Sequence, residues 1–279
     1  MSEPIIILDT ETANLQGAPH LLELGALRVL DGEVTDQFES LVCPEVEIDP
    51  LATQIHGIRE DDVRDAPATA AVLSDFTAWA GKATLAAHNA PFDARVLAYE
   101  YARWRLTPPP GAFVDSLVLA RRALPDAPDH KLDTLVELLG LEDGPRHRAL
   151  ADAVYCWKVI EACVEADDDP APADGDLSEL LPTSHGGRSP LTIESKKPAP
   201  PRMSPRLRPL ERALERQEEV TLLYGDGTDH PARITLLPRF LYRRQKRDYL
   251  EAQSRWAGGL RTYRLDRVRR ILPQTTTSP

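Results

Sequence analysis

Pro4-Ile5-Ile6-Ile7-Leu8-Asp9-Thr10-Glu11 is the stretch on which the fold of this 279-residue chain turns. Three β-branched residues in a run, bounded by a proline and by acids, read as a short buried strand. Asp9 and Glu11 close it, and because strand side chains alternate, both carboxylates project from one face. Working outward, Leu21–Leu30 and Val34–Val42 read as the next two strands, an antiparallel pair joined at the turn Asp31-Gly32. Ala71–Ala80 reads as a helix and Ala83–His88 as a strand. Pro91 then opens a helix to about Arg103, in the first-turn position that proline favours. Helices are expected at Ser116–Ala123 and at Leu132–Leu139, the latter ending at Gly140. A last helix, Arg148–Glu165, carries apolar residues at Ala153, Cys156, Trp157, Ile160 and Val164. Strands first, then strands alternating with helices, predict an α/β fold with a mixed sheet and flanking helices.

The bulk composition bounds what the chain can be. A hydrophobic fraction of 42% is ordinary for a soluble protein, and no apolar run approaches the roughly 20 residues that span a bilayer. No membrane partner is expected. The three cysteines, Cys43, Cys156 and Cys163, form no C-x-x-C pair, and the last two suit one face of a helix. Ile5–Leu8 is too short an apolar run for a signal peptide. Together these point to a reducing, cytoplasmic home. The net charge of −11 argues, at face value, against a nucleic-acid partner. Its distribution argues the reverse. Residues 1–195 hold 14 Lys+Arg against 35 Asp+Glu, a net of −21, whereas residues 196–279 hold 19 against 9, a net of +10. A basic segment tethered to an acidic one is the asymmetry of a polyanion-binding module.

Three regions follow from this. Residues 1–166 carry the α/β pattern. Residues 167–209 hold nine of the 25 prolines among Ala, Ser, Gly and Asp, and read as a semi-extended linker. Residues 210–279 begin with a short helix near Leu210–Gln217 and continue as strands at 220–224, 232–236, 248–252 and 261–265, with a turn signal at Gly225-Asp226-Gly227. A small all-β barrel or curled sheet is expected there.

Acids occupy 44 of 279 positions, so roughly seven acid-x-acid triplets arise by chance and Asp9-x-Glu11 alone means little. Two further groups change that. His88-Asn89-Ala90-Pro91-Phe92-Asp93 puts an acid in the first turn of a helix directly after a buried strand. His147-Arg148-Ala149-Leu150-Ala151-Asp152 places a histidine five residues before an acid that lies among small apolar residues, an awkward place for an unpaired charge. On one helix the two would point about 140° apart, so the pairing requires His147 on the loop entering the helix and Asp152 on its inner face. His20, His130, His185 and His230 are isolated and read as surface or turn residues, and Trp79, Trp104 and Trp157 as core.

The order Asp9-x-Glu11, Asp93, His147-x-x-x-x-Asp152 resembles the DEDDh branch of the 3′→5′ exonuclease superfamily, nucleases of the ribonuclease H-like fold. Supporting blocks are Leu22-Glu23-Leu24-Gly25-Ala26, Ile55-His56-Gly57-Ile58, His88-Asn89-x-x-Phe92-Asp93 and Val114-Asp115-Ser116-Leu117. The family's Thr-Thr-Gly-Leu is here Thr12-Ala13-Asn14-Leu15, and Asn tolerates the left-handed conformation a Gly would supply. The resemblance implies that Asp9, Glu11, Asp93 and Asp152 hold two Mg²⁺ or Mn²⁺ ions, and that His147 is the general base. It also implies that Thr10, Thr12, Leu15, Asn89 and Phe92 contact the terminal nucleotide.

The C-terminal segment interleaves aromatics with cations, as a single-strand platform requires. Arg233, Tyr242, Arg243, Arg244, Arg247, Tyr249, Arg264 and Arg267 are the candidate contacts. Asp248-Tyr249-Leu250, followed by Tyr263-Arg264-Leu265-Asp266-Arg267-Val268, resembles a WYL domain, a small Sm/SH3-like barrel, although the Trp of the eponymous tripeptide is absent. The expectation is a metal-dependent 3′→5′ exonuclease on single-stranded DNA or frayed DNA 3′ ends, with a nucleic-acid-binding C-terminal module. An exoribonuclease or oligonucleotide-trimming enzyme is the close rival, and a regulatory WYL-type sensor is the reading from another class.

Overall fold

The computed structural model describes residues 3–141, 146–166, 189–225, 231–254 and 259–272. Residues 167–188 of the expected linker, the turn signal at Asp226-Gly227, Trp256, His185 and His230 lie outside the described residues. The chain divides into two compact units, Met1–Pro44 with Ile48–Lys197, and Glu45–Glu47 with Pro198–Pro279.

In the first unit β1 (Ile5–Thr12), β2 (Leu21–Leu30), β3 (Glu33–Leu41), β4 (Thr84–Ala87) and β5 (Phe113–Asp115) form one sheet, ordered β3-β2-β1-β4-β5. β1 runs antiparallel to β2 and parallel to β4. The helices are α1 (Pro50–His56), α2 (Glu60–Val63), α3 (Thr69–Ala80), α4 (Pro91–Trp104), α5 (Ser116–Ala123), α6 (Leu132–Leu138) and α7 (Ala149–Ala166). The alternation of β1 sorts the core into two layers. Ile6 and Leu8 pack with Val72, Phe76 and Leu97 of α3 and α4, while Ile5 and Ile7 pack with Leu119, Val159 and Ile160 of α5 and α7. This is the expected mixed sheet covered on both faces. Sequence periodicity missed α1, α2 and the three-residue β5.

Part of the stretch assigned to the linker by composition is structured. Phe113 N–H donates to the carbonyl of Leu191 at 2.8 Å, Thr192 bridges Ala112, and Ile193 is fully buried in the layer with α3 and α4. The segment covers the open edge of β5, whose backbone groups would otherwise be unpaired on that side.

The second unit begins with α8 (Arg208–Arg216) and continues as β6 (Val220–Tyr224), β7 (Ala232–Arg244), β8 (Arg247–Ser254), β9 (Leu260–Arg264) and β10 (Val268–Leu272). Their order is β10-β6-β7-β8-β9, all antiparallel. Leu210 and Ala213 of α8 pack with Leu222, Leu236, Leu250, Leu265 and Val268. The expected barrel is an open sheet, because among the described residues no ladder joins β9 to β10. It is curled nonetheless. Only Leu265–Arg267 separates these edge strands, a reach of at most about 14 Å, whereas the edges of a flat five-stranded sheet lie about 19 Å apart.

Candidate active site

The site forms where the carboxyl end of β1 meets the first turns of α4 and α7. Asp9 and Glu11 extend the face of β1 that packs on α7, and Thr10 and Thr12 turn to the other side. Asp152 stands in the first turn of α7 on the same side as Asp9 and Glu11. One carboxylate oxygen from each of Asp9, Glu11 and Asp152 falls within 4.8 Å of the others. Asp93 comes from the first turn of α4, which Pro91 opens, and is almost completely buried. Thr10 Oγ1 donates to Asp93 Oδ1 at 2.7 Å, tying α4 to the strand between the two acids of β1.

Four acids crowded together, Asp93 and Asp152 buried and Asp9 and Glu11 part-buried, resist ionisation. Burial, then the neighbouring Asp93, Glu11 and Asp152, hold Asp9 well above the usual carboxylate range. Glu11 is pushed up to about 8 by burial and by Asp152 and Glu23. Asp93 is raised to about 7 by burial, against the lowering hydrogen bond from Thr10. Burial raises Asp152 to about 6, partly offset by His147. A set of hard oxygen donors whose mutual repulsion a cation would relieve fits a divalent metal.

His147 lies on the loop entering α7, in a left-handed conformation (φ 57°), with 46% of its side chain exposed. This is the off-helix position that the five-residue spacing required. Its Nε2 is 3.9 Å from Asp133 of α6. Among the residues expected to touch a nucleotide, Thr10 has its hydroxyl committed to Asp93. Thr12 is buried and donates to the carbonyl of Asn14. Leu15 is half exposed, and Asn89 is exposed at φ 62° with its N–H donated to Asp115. Phe92 is partly buried against the α3–α4 layer, with the Arg95 guanidinium 5.6 Å from its ring.

Two residues without an assigned role in the sequence complete the site. Glu23 is fully buried on β2, directly across from Glu11. Arg148 Nε lies 3.0 and 3.1 Å from its two oxygens, Arg148 Nη2 donates to Oε1 at 2.6 Å, and Ala149 N–H donates to Oε2 at 2.9 Å. Both residues lie inside blocks that carry the sequence resemblance, Leu22–Ala26 and His147–Asp152, and Glu23 is an acid interrupting the apolar run Leu21–Leu27, but no role followed from either signal.

In the second unit the candidate contacts separate. Arg233 and Arg247 are exposed. Arg243 pairs through Nη1 with both oxygens of Asp248, and Arg264 pairs with Asp266. Tyr242, placed among the base contacts by its alternation with arginines, is buried, stacked between Phe240 and Tyr249 at 5.3 Å from each. It leaves no open face for a base. Tyr249, Arg244 and Arg267 are partly buried.

A family model described as Exonuclease matches residues 6–160, more than half of the chain. The chain belongs to the exonuclease family. A model for the WYL domain matches residues 205–273. The DNA polymerase III PolC-type of Oceanobacillus iheyensis is 36% identical over 168 residues, 58% of this chain and 12% of the relative. That of Bacillus subtilis is 32% identical over 152 residues, 54% of this chain and 11% of the relative. The exonuclease therefore spans about a tenth of the length of these curated relatives. Among solved structures, Exonuclease X in complex with 5′ overhanging duplex DNA is 28% identical, with a TM-score of 0.50 over 63% of this chain and 98% of that one. The nuclease domain of 3′hExo, a DEDDh family member bound to rAMP, shares the fold at 21% identity, with a TM-score of 0.51 over 57% and 90% of the two chains. The sequence resemblance and the carboxylate cluster thus meet in one description, a DEDDh-type exonuclease with a C-terminal WYL domain. Among the described residues no helix is long and apolar enough to cross a membrane.

Proposed function

We propose that the chain is a divalent-metal-dependent 3′→5′ exonuclease acting on DNA, with single-stranded 3′ ends preferred, and that its WYL domain holds nucleic acid. The observation that carries this reading is the convergence of Asp9, Glu11 and Asp152, with Asp93 fixed beside them through Thr10. In this reading these four acids are the metal ligands. When bound, two Mg²⁺ or Mn²⁺ ions would acidify a water and take up charge on the leaving 3′ oxygen. His147 takes the proton of the attacking water, a role suited to a half-exposed imidazole on the loop that enters α7. Leu15, Asn89 and Phe92 receive the terminal nucleotide. The choice of DNA draws on the identity with the polymerase relatives and with Exonuclease X, whose structure was solved with duplex DNA. Exposed Arg233 and Arg247 are the leading phosphate contacts of the WYL domain.

The test uses one oligonucleotide sequence as single-stranded DNA and as RNA, labelled at the 5′ or 3′ end, with Mg²⁺, Mn²⁺ or EDTA. The expected result is immediate release of the 3′ label and a shortening 5′-labelled ladder on DNA, abolished by EDTA and by Asp9→Ala. Early release of the 5′ label as a mononucleotide would overturn the polarity. Faster trimming of RNA would move the substrate to RNA, and activity surviving Asp9→Ala would remove the metal site.

A further inference from the structure

The acids of the site are held by different elements, and the position of α7 relative to β1 decides whether Asp152 reaches Asp9 and Glu11. Helix α7 begins at Ala149, two residues after the left-handed His147 and directly after Arg148. The first N–H groups of a helix have no partner within the helix. Here one partner comes from another strand, since Ala149 N–H donates to Glu23 Oε2. The same carboxylate grips the Arg148 side chain through Nε and Nη2. Glu23 therefore holds two consecutive residues of the segment between His147 and Asp152, one by its backbone and one by its side chain. All four contacts fall on its two oxygens.

That saturation separates Glu23 from the other acids. It lies across the ladder from Glu11 and, by the pairing of strands, faces the same side. By charge and position it would be a fifth ligand. Its lone pairs are taken by Arg148 and by the start of α7, and a buried carboxylate so paired is a bracket.

We propose that Glu23 and Arg148 are a positioning pair that seats the first turn of α7 on β2 and thereby sets Asp152 and His147 for the reaction, without ligating metal themselves. This rests on the nuclease reading of Asp9, Glu11 and Asp152. The test compares the full chain with Glu23→Gln, Glu23→Ala, Arg148→Met and the double variant Glu23→Gln/Arg148→Met. Gln preserves shape and an acceptor for Ala149 N–H if Ala at this buried position prevents folding. The expected result for Glu23→Gln and Arg148→Met is a kcat at least about tenfold lower, with KM for single-stranded DNA within about threefold of wild type. The double variant is expected to be no worse than the poorer single one, because either change alone opens the bracket. Mn²⁺ titration followed by electron paramagnetic resonance, which needs no turnover, is expected to give about tenfold weaker binding with unchanged stoichiometry. Hydrogen exchange of the Ala149–Asp152 amides is expected to accelerate in Arg148→Met, while that of the core amides of β1 is unchanged. Additive losses, wild-type kcat in Glu23→Gln, or loss of one Mn²⁺ equivalent in that variant would each overturn the proposal, the last by making Glu23 a ligand. Activity persisting in Asp9→Ala would instead strike the underlying reading, while leaving the exchange result to decide the bracket.

Discussion

Asp9 and Gly25 are direct partners in the β1–β2 ladder, so the first acid of the cluster faces the one position of β2 that has no side chain to keep α7 away. A Cβ at Gly25 would lie 2.1 Å from Leu150 N and 2.3 Å from Ala149 C, both backbone atoms at the start of α7. Glu23, two residues before and on the same face, holds that start in place. Glycine and glutamate thus do one task together: the first lets the helix approach, and the second fixes where it stops.

Gly25→Ala is accordingly a catalytic lesion at a residue that carries no reacting group. Relieving the contact requires α7 to retreat by about 1 Å, which for a positioned constellation costs on the order of 10²-fold in rate. The expected outcome is a kcat reduced about 100-fold and a Tm lower by several degrees, measured with a 5′-labelled oligonucleotide and by thermal melting. A folded variant with wild-type kcat would show that the close approach is dispensable.

Stability without metal should fall as pH rises through the neutral range. Glu11 and Asp93 are held up to about 8 and about 7 in the fold, against about 4 when unfolded. Between pH 7 and 9 the folded state therefore binds more protons than the unfolded one, and the stability this provides is lost as pH passes the folded pKa values. His56 and His88, lowered by burial, act oppositely, but below this window. The expected observation is a Tm in EDTA that drops by several degrees from pH 7 to 9. Glu11→Gln should flatten the drop, and Mg²⁺ at pH 8 should restore Tm with release of protons into weakly buffered solution. A Tm in EDTA that is flat or rising would contradict the raised carboxyls.

The positions of the acids and of His147 in the fold were legible in the sequence because each belongs to a short local pattern: a strand end, a helix opened by proline, a histidine before a helix. What joins them was not. Arg148 is 125 residues from Glu23 and Asp93 is 83 from Thr10, so no spacing could announce either bond. β5 is too short to show a period, and proline content concealed the anchor at Ile193. In the WYL domain, the interleaving of aromatics with arginines says nothing about which side chains are covered, and Tyr242 proved to be buried.

Thr10→Val tests how much the site depends on its strand-to-helix bond. Valine keeps the branching that β1 favours and removes only the hydroxyl that donates to Asp93 Oδ1. An unpaired buried acceptor costs about 1–3 kcal/mol, and a displaced ligand carboxylate costs about 10-fold in metal affinity. The variant is expected to require about tenfold more Mg²⁺ for half-maximal activity and to approach wild-type kcat at saturation. An unchanged Mg²⁺ requirement would show that Asp93 is held without Thr10.

Ile193 makes the segment after the nuclease pattern part of its core. Its side chain is fully buried with α3 and α4, and Leu191 pairs with the edge of β5. Ile193→Ala is expected to cost about 2–5 kcal/mol, read as a lower urea midpoint with unchanged slope. A chain ending at residue 166 should be less stable than one ending at residue 197 by at least that amount. Equal midpoints would show that the segment rests on the domain without supporting it.

Arg233 and Arg247 offer the sharpest division between a WYL domain that holds the substrate and one that does not. Both are exposed, while Arg243 and Arg264 are neutralised by Asp248 and Asp266. If the first two contact phosphates, each contributes a displaced counterion, and the slope of log K against log salt for single-stranded DNA changes by about 0.7 per contact. Arg233→Ala/Arg247→Ala in the full chain is therefore expected to make the slope shallower by about 1.4. Arg243→Ala, which removes an arginine already paired, should leave it unchanged. At saturating single-stranded DNA the double variant should keep wild-type kcat, because neither arginine belongs to the nuclease domain. A salt slope identical in all three proteins would assign nucleic-acid binding to the nuclease domain alone.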